Sequence, residues 1–315
     1  NALIDAVRIA ALFHDVGKAW AIFQSKLQHP EAKADPLRHE ILSVMVWDRL
    51  CRGHDDKSAL ELLSKLQSTD VDAAFQAAVA DIRKLPKALP PQQGRIQARK
   101  AIDLERSGGK PDRILIRSVS LLIATHHRLY ELASGGRPGL GHHVDHDPTN
   151  FKLLADREAT AAHPEAPWHD DRWLEAVRSA ARRTVPPRFH GTDVPDCLPG
   201  LAAYGRTALM LGDHVGSHEK STRDIALDPE RCWANTWKLE DDQKKLQVRG
   251  ADLLVDHLLK VARAAHAAAR ALVRGRNDWP GLEVAATPED VVNPERSDDR
   301  RFAWQAFDSE ALKDA

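Results

Sequence analysis

Residues 9–18 read Ile-Ala-Ala-Leu-Phe-His-Asp-Val-Gly-Lys, and the reading of this stretch decides the fold. Leu3, Val7, Ile9, Ala10, Leu12 and Phe13 recur at helical spacing, which predicts a helix over residues 2–16. Gly17 stands where a left-handed C-terminal cap would end it. His14 and Asp15 are then expected in the last turn. Adjacent helical residues point about 100° apart, a consequence of 3.6 residues per turn. An aspartate so placed can bridge two ions while its histidine neighbour serves one. Two adjacent ligands cannot close a metal site, so further imidazoles and carboxylates must come from packed neighbouring helices.

Suitable residues stand on other predicted helices. His39, within Arg38-His39-Glu40, falls in a helix expected over 37–51. The pair His126-His127 ends a strongly apolar segment, 114–133, read as a buried helix. Asp213 lies near the end of a core helix over 201–217. Further helices are expected over 20–27, twice within 57–84, near 171–183 and over 241–273. No alternating strand pattern is evident, which gives an all-α helical bundle. Prolines and glycines mark long irregular insertions, above all residues 148–198. The main domain is expected to span 1–275, followed by a C-terminal segment, 276–315.

Mixed imidazole and carboxylate ligation suits two divalent transition ions, with Fe, Mn, Ni, Co or Zn favoured and Mg compatible. Two such ions about 3.5–4 Å apart can stabilise an in-line phosphoryl displacement. Lys18, one turn beyond Asp15, is then placed to offset charge on a phosphate oxygen.

Bulk properties narrow the field. Forty-five basic against forty-six acidic side chains leave a net charge of -1, so contact with nucleic acid must come from local patches. Three cysteines, Cys51, Cys197 and Cys232, at wide spacings exclude a disulfide scaffold and fit a reducing cytoplasm. No apolar run approaches the roughly 18 residues a membrane span needs. The chain opens on Asn1 in what reads as mid-helix, as expected of a domain cut from a longer polypeptide. The phosphate-binding GxxxxGK[ST] loop of helicases is absent from it.

Several features have a bland reading beside the functional one. His142, His143 and His146 with Asp145 and Asp147 read as a flexible loop that binds metal adventitiously. Lys260, Arg263, Arg270 and Arg274 line one helix face, solvated by default and able to track a DNA backbone. Arg178, Arg182, Arg183 and Arg188 form a similar cluster, and Trp168 and Trp173 are core residues unless a base stacks on them.

The succession HDVGKA, FQSKL, RHEILS, ATHHR and LMLGDHVGS resembles the HD superfamily of metal-dependent phosphohydrolases. Within it the chain looks like the HD nuclease domain of the CRISPR-associated helicase-nuclease of type I systems. THHRL, ALMLGDH and RRFAWQ are most similar to the type I-F branch. The resemblance implies an HD-domain bundle and a nuclease that hydrolyses phosphodiester bonds in single-stranded DNA during antiviral interference. It implies His14, Asp15, His39, His126, His127 and Asp213 as metal ligands, with Asp15 bridging. Ser217 and Arg38 would order the shell or touch phosphate. It further implies a surveillance complex as partner and a helicase domain following residues 276–315, with adaptation proteins or a phage-encoded inhibitor as further partners. A ligand histidine usually stands upstream of the HD pair, and none of the 13 residues before His14 is histidine. The first ion's shell is therefore expected to be incomplete in this chain or completed differently. Two rivals remain: a phosphohydrolase of nucleotides or cyclic-nucleotide messengers, and a non-catalytic helical adaptor.

Overall fold

The computed structural model describes residues 2–28, 38–83, 113–126, 161–186, 194–218, 225–240 and 246–273. Within these, the side chains of residues 2, 194–203, 218, 225–226, 237–240 and 246–248 are not described. The architecture is predominantly helical, as the periodicity predicts. Helix α1 spans Ala2–Phe13 and forms the axis of the core, with Ala6, Val7 and Ile9 through Phe13 buried. A 3₁₀ turn, Val16–Ala19, leads into α2 (Ala21–Gln28). Helices α3 (His39–Leu50), α4 (Asp56–Ser64) and α5 (Ser68–Arg83) follow. Then come α6 (Ile114–Thr125), α7 (Asp171–Arg183), α8 (Val194–His218) and α9 (Leu254–Val273).

Buried polar contacts fix how these helices meet. The indole of Trp47 on α3 donates to the Ile116 carbonyl of α6 at 3.1 Å, and Trp173 on α7 donates to the Leu12 carbonyl of α1 at 2.9 Å. Phe13 sits edge-on to both rings, at 5.1 Å from Trp47 and 5.2 Å from Trp173. Aromatic pairs of this geometry add to area burial. Trp168 and Trp173 are fully buried, which makes them core residues and not stacking platforms. The carboxylate of Asp56 accepts from the backbone amides of Leu115 and Ile116 at 2.8 and 3.0 Å, satisfying donors that the first turn of α6 leaves over.

The close approach of α8 and α9 has a direct cause in the sequence. Gly212 and Gly216 lie one turn apart on α8, facing Ala265 and Val261 of α9. A Cβ at Gly212 would come within 2.6 Å of Ala265, and one at Gly216 within 2.7 Å of Val261. Val261 and Ala265 share their face of α9 with His257, since the three are spaced by four.

Four expectations need correction. Gly17 does not adopt a left-handed conformation; among the described glycines only Gly53 does, at φ 79°. Helix α1 stops at Phe13, so His14 and Asp15 follow it instead of closing its last turn. Residues 246–253 are not part of the late helix, because they form a strand. That strand, β3 (Leu246–Leu253), is central in an antiparallel sheet of order β1-β3-β2, with β1 at Ile225–Ala226 and β2 at Trp233–Glu240. Register shifts between Trp233 and Asn235 and between Asn235 and Thr236 break the alternation that would have announced β2. Helix α8 also begins earlier than expected, at Val194, because Pro195 occupies its first turn, where no amide donor is needed.

Candidate metal centre

The turn after α1 is shaped for close packing. The Gly17 amide donates to Ser43 Oγ at 2.9 Å, and that hydroxyl donates to the His39 carbonyl at 3.0 Å. A Cβ at Gly17 would overlap the same carbonyl oxygen. Gly17 is therefore required by contact with α3, and the contact sets His39 against the His14-Asp15 turn.

Asp15, fully buried, is the hub. Its Oδ1 lies 3.1 Å from His39 Nε2 and 3.5 Å from His126 Nε2. Its Oδ2 lies 3.3 Å from His14 Nε2 and 3.4 Å from His257 Nε2. Asp213 Oδ1 completes the second group, 3.7 Å from His14 Nε2 and 3.4 Å from His257 Nε2. Two clusters result, Asp15-His39-His126 and His14-Asp15-Asp213-His257, each with its ligand atoms within 4.8 Å of one another. Either could hold a metal ion, and one carboxylate serves both.

The imidazoles are oriented for that task. His14 Nδ1 donates to the Ala11 carbonyl at 2.8 Å and His126 Nδ1 to the Ile123 carbonyl at 2.7 Å. A backbone acceptor on Nδ1 fixes ring and tautomer and leaves Nε2 for the ion. Nε2 of His14 and both ring nitrogens of His257 are buried without a well-formed hydrogen bond. Buried polar atoms left so are uncommon in folded proteins, and a cation at the centre of the cluster would satisfy them. The donor set of four histidines and two aspartates fits divalent transition ions.

Electrostatics follow from this crowding. Burial disfavours the charged form of His14, yet the carboxylates of Asp15 and Asp213 prevail and raise it to about 10. Burial would raise Asp15, but His14 and Lys18 hold it well below the usual carboxylate range. Asp213 is held low against burial by His14 and His257. Burial pushes His39 down, which favours the neutral ring a ligand needs. Glu40 is kept low against burial by His39 and Arg38.

The structure brings together His14, Asp15, His39, His126 and Asp213. Lys18 Nζ is buried and lies 2.8 Å from Asp15 Oδ2. Ser217 Oγ donates to Asp213 Oδ1 at 3.4 Å, and Arg38 pairs with Glu40 beside His39. His127, Arg274, the 142–147 loop and Arg188 lie outside the described residues. Arg263 and Arg270 stand six and thirteen positions beyond His257 on α9, roughly 9 and 20 Å along the axis, and join no cluster. Lys260 is paired with Asp252 at 3.0 Å, Arg178 with the Leu66 carbonyl at 2.8 Å, and Arg182 with Glu175. His257 was missed by the sequence reading, and it fills out the four-residue cluster with no histidine upstream of His14. Its signal was a histidine on the apolar face of α9, in line with Val261 and Ala265.

The fold and the two clusters define a helical protein in which two groups of side chains, each able to hold a metal ion, share Asp15. No family model matches the chain. It is similar, at 28% identity over 95% of its length, to the CRISPR-associated nuclease/helicase Cas3 subtype I-F/YPEST of Pectobacterium atrosepticum. The protein of the same description from Pseudomonas aeruginosa is also 28% identical, over 94% of the chain. The resemblance read from the motifs, to the nuclease-helicase of the I-F branch, is thereby shown. The chain spans about a quarter of the length of these relatives, 27% and 26%.

Proposed function

We propose that this chain is a metal-dependent HD-type nuclease, the DNA-cutting part of a CRISPR-associated nuclease-helicase. The observation that carries this reading is the division of Asp15, whose Oδ1 faces His39 and His126 while Oδ2 faces His14 and His257. A carboxylate with one oxygen in each cluster is what two adjacent ions sharing a ligand require. When bound, two divalent ions, Fe, Mn, Ni, Co or Zn by donor type, would activate water and hold the scissile phosphate. His14, His257 and Asp213 would hold one ion and His39 and His126 the other, with Asp15 available to both. His127, next to His126 in sequence, is a further candidate ligand.

Lys18 supplies positive charge at the Asp15 edge, where it offsets charge building on a phosphate oxygen. Ser217 keeps Asp213 turned inward, and Arg38 keeps Glu40 beside His39. The substrate is single-stranded DNA, the setting is interference with a surveillance complex, and residues 276–315 lead toward a helicase domain. The relatives' names support a CRISPR-associated nuclease, and their name and greater length support a helicase elsewhere in the polypeptide. Among the described residues no helix is long and apolar enough to cross a membrane, and a cytoplasmic site of action fits the proposed DNA substrate.

Incubation with circular single-stranded DNA and Mn²⁺ tests the reading. Cleavage is expected in the wild type and loss of it in His14→Ala/Asp15→Ala. Full activity in that double variant, or release of phosphate from nucleotides with no DNA nicking, would overturn it.

A further inference from the structure

The four-residue cluster depends on two separate pieces of chain keeping their distance: the turn 14–18 and the first turn of α9. One side chain joins them. Gln24, on α2, is buried, and its Nε2 donates to the Lys18 carbonyl at 2.6 Å and the Trp233 carbonyl at 2.8 Å. Its Oε1 accepts from the Trp233 amide at 2.8 Å.

Each end of this bridge continues by hydrogen bonds into the cluster. On one side the Lys18 amide donates to the Asp15 carbonyl at 2.9 Å, and Lys18 Nζ reaches Asp15 Oδ2. On the other, Trp233 pairs with Leu253 at the end of β3, and the Leu254 amide donates to the Cys232 carbonyl at 2.8 Å. Leu254 opens α9, and His257 follows in its first turn. The ring of Trp233 occupies the space a Cβ at Gly250 would need, which fixes the hairpin from its other strand. The chemistry asks for glutamine: two donors and one acceptor on a planar group at this reach. Glutamate would set a carboxylate against two carbonyl oxygens, and methionine would leave three buried backbone groups without partners.

We propose that Gln24 is a positioning residue, stapling the turn that carries Asp15 and Lys18 to the hairpin that launches the helix of His257. It thereby sets the width of the four-residue cluster, and acts on the Asp15-His39-His126 cluster less directly, through the shared Asp15 and the neighbouring Phe23 ring, which packs 5.1 Å from His39. The inference rests on the metal-centre reading but can be judged without a metal.

The test uses the full chain with Gln24→Met and Gln24→Glu, the second retaining the acceptor should the first unfold. In metal-free protein the ring ¹H–¹⁵N resonances of His14 and His257 are expected to move more than those of His39 and His126. Titrated with Mn²⁺, one of two ions should bind about tenfold more weakly or worse and the other should be affected less. In a His257→Ala background, Gln24→Met should add nothing to the loss. Equal movement of all four rings, no movement, or an additive loss in that background would overturn the proposal. A wild type that binds no Mn²⁺ would overturn the metal reading instead, while the ring resonances would still decide the role of Gln24.

Discussion

His257 Nε2 lies 3.4 Å from Asp15 Oδ2 and 3.4 Å from Asp213 Oδ1, so the last described helix delivers its imidazole between a carboxylate set by the turn after α1 and one set by α8. His257→Ala is expected to weaken binding of one ion by on the order of 100-fold, since even outer partners of a metal site cost 10–100-fold. The other ion should remain, and DNA cleavage should fall with the first. Calorimetric titration with Mn²⁺ separates the two ions; unchanged affinity for both would remove His257 from the ligand set.

Gly212→Ala places a methyl group against the backbone of Ala265. The expected result is a loss of about 1–3 kcal/mol of stability from overpacking, with weaker metal binding at the four-residue cluster as α8 and α9 part. Urea unfolding measures the first and metal titration the second. A variant as stable as the wild type would show that the helices can separate at no cost.

Lys18→Met should lower the turnover number on the order of 100-fold with little change in apparent affinity for DNA, as expected when a charge acting on the transition state is removed. Steady-state kinetics on single-stranded DNA checks this. A rise in KM alone would assign Lys18 to substrate binding.

The raised His14 makes a pH prediction. A histidine raised from 6.5 to about 10 by folding stabilises the metal-free protein fully below pH 6.5 and loses that contribution as pH climbs toward 10. Over the same interval metal affinity should rise, because the ion must displace the proton. Denaturant midpoints at pH 6, 8 and 10 with chelator present should fall, and His14→Gln should flatten the slope.

The part of the site legible in the sequence was the part whose residues stand out locally. His14-Asp15, His39, His126 and Asp213 are polar residues inside apolar helical stretches, where their presence calls for an explanation. His257 stands in an amphipathic helix beside a basic stripe, and only the pairing of Gly212 and Gly216 with Ala265 and Val261 reveals which face meets the cluster. The hairpin was hidden by the irregular register at Asn235 and by Gly250, which owes its place to the Trp233 ring. Gly17 was rightly singled out for the wrong reason: its need is space beside the His39 carbonyl and not a left-handed backbone.

The spread of the four-residue cluster along the chain also has a consequence in time. His14 and Asp15 leave the ribosome well before His257, which is among the last of the described residues to be made. Until α9 docks through its small-residue seam with α8, the carboxylates of Asp15 and Asp213 lack one of the two imidazoles that both of them touch. Assembly of the centre is thus tied to completion of the bundle, and a nascent or truncated chain ending before α9 carries the motif without the finished cluster.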